Sequence, residues 1–445
     1  MRKTLLAAAT AAALAPLAAH ATDGYFSHGY GMKAKGRAGA STAMTTDAFG
    51  GAVNPATMAF AGDRLDLGLD WFRPDRSAKR EGSAGGTGFL DGAAEGNETE
   101  NFFIPEFGYN KMLRPDLSLG ITVYGNGGMN TDYPSGQLDQ GVCQGGAPNG
   151  VRVNLLCGSG NLGVDLSQLI FAPTLGWKFN PNHSVGISPL VAYQRFKAYG
   201  LDAFSAISSD PANLTNRGHD DAWGFGARVG YFGQLTPTIA VGVGYSTKID
   251  MEQFDKYKGL FAEQGDFDIP ENYNVGVAFK PTPKLTIAAD YQRILYNKVK
   301  SVGNPSTVPG CTPTFPAGPG VGDACLGASG SSIGFGWQNV DVFKVGIEYE
   351  WSSSLMLRAG YNKSDNPIQA SDVTFNILAP GVIEEHITLG FTYSLSKTTE
   401  LTMAYMHAFE NSVSGPANNP YFPVGGTETL TMSEDSLGIA FGWKF

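Results

Sequence analysis

The sequence predicts an all-β protein, a 14-stranded antiparallel transmembrane β-barrel with a small N-terminal helical hatch plugging its lumen. Three observations predict it. At the C-terminus Leu437, Ile439, Phe441, Trp443 and Phe445 stand at every second position with Gly438, Ala440, Gly442 and Lys444 between them, so one face suits lipid and the other a lumen. The chain carries 59 glycines, 27 phenylalanines and 18 tyrosines with only 16% charged residues, which is odd for a soluble enzyme, yet its mean hydropathy is close to zero. Strands that turn every second residue inward give that combination, whereas spanning helices do not. Finally, alternating segments recur from residue 64 to the end, joined by connections that are short and long in turn.

Residues 1–21 are expected to be a secretory signal peptide. Arg2 and Lys3 precede an apolar run from Leu5 to Ala19, and Ala19, His20 and Ala21 form a cleavage site that leaves Thr22 first in the mature chain. The run, about fifteen residues, is short of the roughly 20 that a spanning helix needs. Residues 22–63 do not alternate; they are rich in Gly and Ala and suit short helices. They are too few to fold alone and become stable by packing into the barrel mouth, where they form a hatch. Asn54 is a good N-cap and Pro55 suits a first helical position, so Asn54, Pro55 and Ala56 begin a helix running toward Phe60.

Residues 64–445 form the barrel. Leu65, Leu67, Leu69 and Trp71 oppose Asp66 and Asp70 in a first strand at 64–73. Further strands are expected at 100–110, 117–124, 165–179, 184–199, 220–235, 238–251, 269–280, 284–297, 341–351, 355–363, 384–395, 399–409 and 435–445. Short links such as Thr236 and Pro237, or Ser352 to Ser354, follow even-numbered strands, and long ones follow odd-numbered strands. Bacterial barrels have short periplasmic turns and long outer loops, so the first strand runs outward and the hatch lies on the periplasmic side. Trp177, Phe179, Tyr349, Trp351, Tyr393, Trp443 and Phe445 end inward-running strands as a periplasmic girdle would; ordinary strand enrichment in aromatics is the alternative.

Cys143 with Cys157 and Cys311 with Cys325 have identical spacing, each pair inside one long Gly-rich outer loop, and are expected as local disulfides. In the chain-entropy model, closing about fifteen residues stabilises by roughly 3 kcal/mol. Neither pair has Cys-x-x-Cys spacing or nearby histidines, so no metal is expected. The formal charge of -10 comes with no basic patch, which excludes a nucleic-acid partner. There is no Gly-x-Ser-x-Gly elbow, no phosphate-binding Gly-Lys-Ser/Thr loop and no histidine pair at helical spacing, so neither catalysis nor a cofactor is expected.

The chain resembles the FadL family of outer-membrane transporters for long-chain fatty acids and hydrocarbons. The resemblance rests on Gly24-Tyr-Phe26, Gly36-Arg-Ala-Gly-Ala40, Thr46-Asp-Ala48 and above all Asn54-Pro-Ala56, which is the family's hatch motif. It continues through Gly125-Asn-Gly-Gly-Met129, Asp268-Ile-Pro-Glu-Asn-Tyr273 and Leu357-Arg-Ala-Gly-Tyr361, and so spans the mature chain. It implies a monomer in a Gram-negative outer membrane. It also implies a hydrophobic ligand that lands in an apolar groove of the outer loops, enters the barrel, and leaves into membrane lipid through a gap made by a kink in the third strand.

Gly125, Gly127 and Gly128 can supply that kink, a plain glycine-rich turn being the alternative. The loops carrying Leu201, Phe204, Ile207 and Leu214, and Phe254, Tyr257, Leu260 and Phe261, fit either a landing surface or loops that pack on themselves. On the lumen face, which also carries Glu106, Asp250, Asp290, Lys344 and Glu348, the basic residues Arg228, Lys248 and Arg358 are candidates to meet a ligand carboxylate. A fatty acid and an aromatic hydrocarbon fit equally. A general diffusion porin and a structural or adhesive barrel are the rival functions; the hatch argues against the porin.

Overall fold

The computed structural model describes residues 22–86, 88–307, 325–417 and 425–445. Fourteen strands form a closed antiparallel barrel: β1 (Arg64–Glu81), β2 (Phe102–Arg114), β3 (Leu117–Tyr133), β4 (Leu162–Asn180), β5 (His183–Tyr199), β6 (Asp220–Thr236), β7 (Ile239–Ser246), β8 (Asn272–Thr282), β9 (Leu285–Ile294), β10 (Val340–Ser352), β11 (Leu355–Ser364), β12 (Glu385–Ser394), β13 (Thr399–Pro416) and β14 (Thr427–Lys444). Each pairs with its neighbours in the chain, and β14 returns to β1 from Arg64↔Lys444 to Glu81↔Thr427. Closure removes the edge strands that a membrane cannot tolerate.

The period-two pattern sets which face is which. β1 buries Asp66 and Asp70 and exposes Leu69 and Trp71; β14 exposes Leu437, Ile439 and Phe441. Charge lies inside and apolar surface outside, the reverse of a soluble core, because lipid surrounds the wall. No helix among the described residues is long and apolar enough to cross a membrane. Short turns at 115–116, 181–182, 237–238, 283–284, 353–354 and 395–398 mark one end, with Trp177, Phe179, Tyr349, Trp351, Tyr393 and Phe445 exposed beside them.

Several strands differ from their expected lengths. β1, β13 and β14 continue well beyond 73 and 409 and begin before 435, since pairing persists to Glu81↔Thr427 and Pro416↔Thr427. The extensions carry Asp75, Lys79 and Glu428, so apolar alternation stops where lipid stops while the hydrogen bonds go on. The expected strand at 238–251 is interrupted after Ser246 and resumes at Asp250 and Met251, which pair with Phe225 and Gly224 of β6. Thr247 there meets Ala227 through its backbone, and its hydroxyl accepts from the Ala227 N–H, which turns the chain out of the ladder. The Cys143–Cys157 disulfide is present in the β3–β4 loop. Cys311, and with it the expected Cys311–Cys325 pair, lies outside the described residues.

Candidate functional site

Residues 22–63 fill the lumen, with Pro55–Phe60 in the half nearest the short turns. Asn54 caps the 3-10 helix Pro55–Phe60, its Oδ1 accepting from the Ala56 N–H at 3.1 Å, with Pro55 at the first helical position. Its Nδ2 donates to Thr42 O and to Tyr231 O of β6, both at 2.8 Å, so one side chain joins two hatch segments to the wall. A Cβ on Gly230 would lie 2.0 Å from Asn54 Oδ1, which is why the facing position in β6 is bare.

The inward charges of the barrel are complementary to the hatch. The short helix α1 (Met32–Lys35) and the turn after it send Lys33 to Glu400 of β13, Lys35 to Asp70 and Glu106 at 2.6 and 3.0 Å, and Arg37 to Glu348. In return the hatch carboxylate Asp23 meets Lys344 at 3.1 Å and Asn362 at 3.1 Å. Asp290 accepts from the backbone of Ser41 and Thr42. These groups are buried, and removing a cation whose partners have no other counter-charge among the described residues, as Lys35 is for Asp70 and Glu106, costs about 3–5 kcal/mol.

Above the hatch the wall parts. β3 pairs with β2 only as far as Val123↔Phe107. β2 continues to pair with β1 up to Phe72↔Phe102, and β3 continues to pair with β4 up to Tyr133↔Leu162. Residues 102–106 and 124–130 therefore bound a window with no ladder across it. The parting coincides with a bulge, since Gly125 faces Leu169 and Gly127 faces Gln168, leaving Asn126 extra. Residues 124–129 are all buried, so the strand has moved inward from the lipid wall.

The start of the hatch occupies the inner side of this window. Phe26 bridges Gly127, Ser27 N–H donates to Asn126 O at 3.0 Å, and Gly128 N–H donates to Tyr25 O at 3.0 Å. A Cβ on Gly127 would lie 1.7 Å from Tyr25 O, so only glycine admits that approach. The Asn126 side chain donates to Gln168, Gln168 to Gln194, and Gln194 to the carbonyl of Phe267, at 3.0, 3.2 and 2.9 Å. This amide ladder ties the bulge to an outer loop.

The outer half of the lumen is filled with rings. Phe196 packs on Phe261 at 4.7 Å, Phe261 on Phe267 at 4.9 Å, Phe267 on Tyr25 at 6.1 Å, and Tyr25 on Phe26 at 5.6 Å between centroids. Tyr296 and Trp337 flank Tyr25 at 5.0 and 5.8 Å. An unbroken column of aromatic side chains thus descends from the outer loops to the window.

The model of the family described as outer membrane protein transport protein (OMPP1/FadL/TodX) matches residues 8–445. The chain belongs to this family. It is an outer-membrane transport protein of the hydrophobic-substrate type and not an enzyme. Among solved structures, the Pseudomonas putida toluene transporter TodX is similar at 18% identity and a TM-score of 0.67, covering 94% of this chain and 99% of that one. A Pseudomonas aeruginosa FadL homologue gives 15%, 0.69, 95% and 99% in the same order. The Ralstonia pickettii toluene transporter TbuX gives 17%, 0.62, 94% and 99%. At these identities the likeness establishes the fold. No curated protein sequence matches.

In this transporter the expected site residues fall into three places. Asn54, Pro55 and Ala56 sit in the hatch, and Gly125, Gly127 and Gly128 at the bulge. Phe204, Ile207, Leu214, Leu260 and Phe261 do not form an exposed landing surface: none is more than 3% exposed, because the two loops fold over the lumen and pack on each other. The three basic candidates are also engaged. Arg358 holds Glu348 at 2.5 Å, and Arg228 donates to Gly51 O and the Tyr124 hydroxyl at 2.7 and 2.9 Å. Lys248 lies in the break between Ser246 and Asp250, where it pairs with Asp250 and Asp268. The sequence reading passed over Asn126, Gln168 and Gln194. The only sign of Asn126 was a lone amide between glycines.

Proposed function

We propose that this transporter passes hydrophobic small molecules passively, that the hatch gates the passage, and that the ligand leaves sideways through the window between β2 and β3 into membrane lipid. The aromatic column carries this reading. It leads from the outer loops to Phe26 in the window, whereas the route straight on to the periplasm is filled by ion pairs. An apolar ligand finds ring surface along the first route and would have to displace charge along the second. Leaving into lipid is favoured by about 0.8 kcal/mol per buried methylene, so no energy source is required.

Asn54, Pro55 and Ala56 would then anchor the hatch, and Gly125, Gly127 and Gly128 would shape the exit. Phe204, Ile207, Leu214, Leu260 and Phe261 would roof the column, yielding to the ligand instead of displaying a groove. Lys35, Lys344 and Arg358 are already committed to carboxylates, and Arg228 to the Gly51 carbonyl and the Tyr124 hydroxyl, which favours a neutral hydrocarbon over a fatty-acid anion. The working form would be a monomer starting at Thr22, in contact with outer-membrane lipid.

The test is uptake of labelled toluene, labelled oleate and a small sugar by cells whose outer membrane lacks a transporter of this kind and carries this one. Uptake of toluene ahead of oleate without sugar, altered by Asn54→Leu, is expected. Sugar uptake with no hydrophobic preference would mean an open porin and overturn the reading.

A further inference from the structure

Two buried charged groups beside the window are unexplained by hatch binding. Glu434 of β14 points inward, is 1% exposed, and among the described residues neither carboxylate oxygen has a hydrogen-bond partner. Its cross-strand neighbours are Ala408 on β13 and Pro74 on β1, neither of which offers a side-chain hydrogen bond. A buried carboxylate left this way is costly and calls for a partner that the present arrangement withholds.

That partner is one step away. Arg76 also points inward from β1, where it faces Met432, so it is the diagonal neighbour of Glu434 across the β1–β14 seam. Such positions lie about 7–8 Å apart, well within the reach of an arginine. In this structure the guanidinium turns the other way. Nη1 donates to the carbonyl of Asn130, Nη2 donates to the carbonyl of Thr99 at 2.7 Å, and Nε donates to Asn97 Oδ1 at 3.3 Å. Asn130 lies on β3 and Thr99 in the segment before β2, so Arg76 joins both sides of the window at its outer corner, beside the backbone bonds of Gly96 and Glu98 to Asp132. It does so through uncharged acceptors alone, while a carboxylate waits unpaired on its other side.

We propose that Arg76 is a two-position latch on the window. Held to Asn130, Thr99 and Asn97 it reinforces the corner; turned to Glu434 it leaves the corner to the Gly96 and Glu98 backbone bonds with Asp132 and gains a charge-assisted, fork-matched pair in exchange for uncharged acceptors. The two positions differ by an exchange of hydrogen bonds on the lumen face of β1, so both can be populated. The inference rests on lateral release and adds to it the residues that set how often the window opens. Arg76 is a positioning residue here, since it acts on the strands and not on the ligand.

The experiment is amide hydrogen exchange on the purified full chain in lipid nanodiscs, read over residues 96–101 and 124–133, together with toluene uptake. Glu434→Gln removes the second position, so exchange in both segments slows and uptake falls at least about fivefold, the low end of typical coupling between linked sites. Glu434→Asp, which keeps the charge, retains most of both. Arg76→Ala releases the corner and speeds exchange in both segments, and Glu434→Gln has no further effect in that background. Equal exchange in Glu434→Gln and wild type, or effects of the two substitutions that simply add, would overturn the latch. Exchange is read without any ligand, so a latch that works in a chain taking up no toluene would sink lateral release and leave the latch standing.

Discussion

Around Lys35 the lumen is filled with charge, and around Tyr25 it is filled with rings; the two fillings hold the hatch in different ways. The lower half pairs Lys33, Lys35 and Arg37 with carboxylates fixed on β1, β2, β10 and β13. Those bonds are directional, and the carboxylates are also fixed by groups of the wall, Glu348 by Arg358 and Glu400 by Arg64. The upper half holds residues 25–27 by ring packing and two backbone hydrogen bonds to a bulged strand. Rings can be exchanged for other apolar surface at little cost, and a ligand supplies such surface. If the transporter gates as proposed, the window is the part that opens while the hatch base stays put.

The sharpest way to break the comparison is to remove a charge from the lower half. Lys35→Met leaves Asp70 and Glu106 buried side by side, and is expected to lower unfolding free energy by about 3–5 kcal/mol in urea titrations of the refolded barrel. A variant as stable as wild type would mean that the lower half is not fixed by charge. Gly127→Ala acts on the upper half. Its Cβ must push Tyr25 off the bulge, so overpacking costs only about 1–3 kcal/mol, while planar-bilayer conductance rises as the start of the hatch leaves the window. Unchanged conductance would mean the window is not closed by residues 25–27.

Asn54→Ala loses a helix cap and the hydrogen bonds to Thr42 and Tyr231, a change of about 1–2 kcal/mol by the same urea titration, with more frequent brief openings in single-channel records. The smallest effect lies in the outer loop, where burial, and then the charge of Asp268, push the Asp266 carboxyl up to about 7. The folded value stands above the unfolded one. Its contribution to loop packing is therefore complete below about pH 4 and is lost as pH rises toward about 7. Amide exchange over residues 247–271 should quicken between about pH 5 and about pH 8, and Asp266→Asn should flatten that change.

How legible each part was depends on how far along the chain its cause lies. Leu69 and Asp70 announce opposite faces of one strand because they are neighbours, and Asn54 with Pro55 announces a helix start for the same reason. Asn126 could not be identified as a bulge from its own segment, since a bulge exists only against Leu169 and Gln168 on β4. Phe204 and Phe261 looked equally suited to water or to each other, and burial followed from two loops meeting over the lumen. Lys248 falls out of register because one threonine hydroxyl, inserted beside Ala227, interrupts a strand that resumes at Asp250.

The sequence by itself determined the strand number, the sidedness of the wall and the inward charge, because a period of two is a property of adjacent residues. The tertiary structure alone decided which charges pair, where the wall parts and which side chains wait without a partner. Arg37 meets Glu348 across 311 positions of sequence, and Arg76 faces Asn130 and Glu434 from opposite sides only because β1 closes the barrel against β14. Those relations depend on register between distant strands, which closure of the whole barrel fixes and no local pattern encodes.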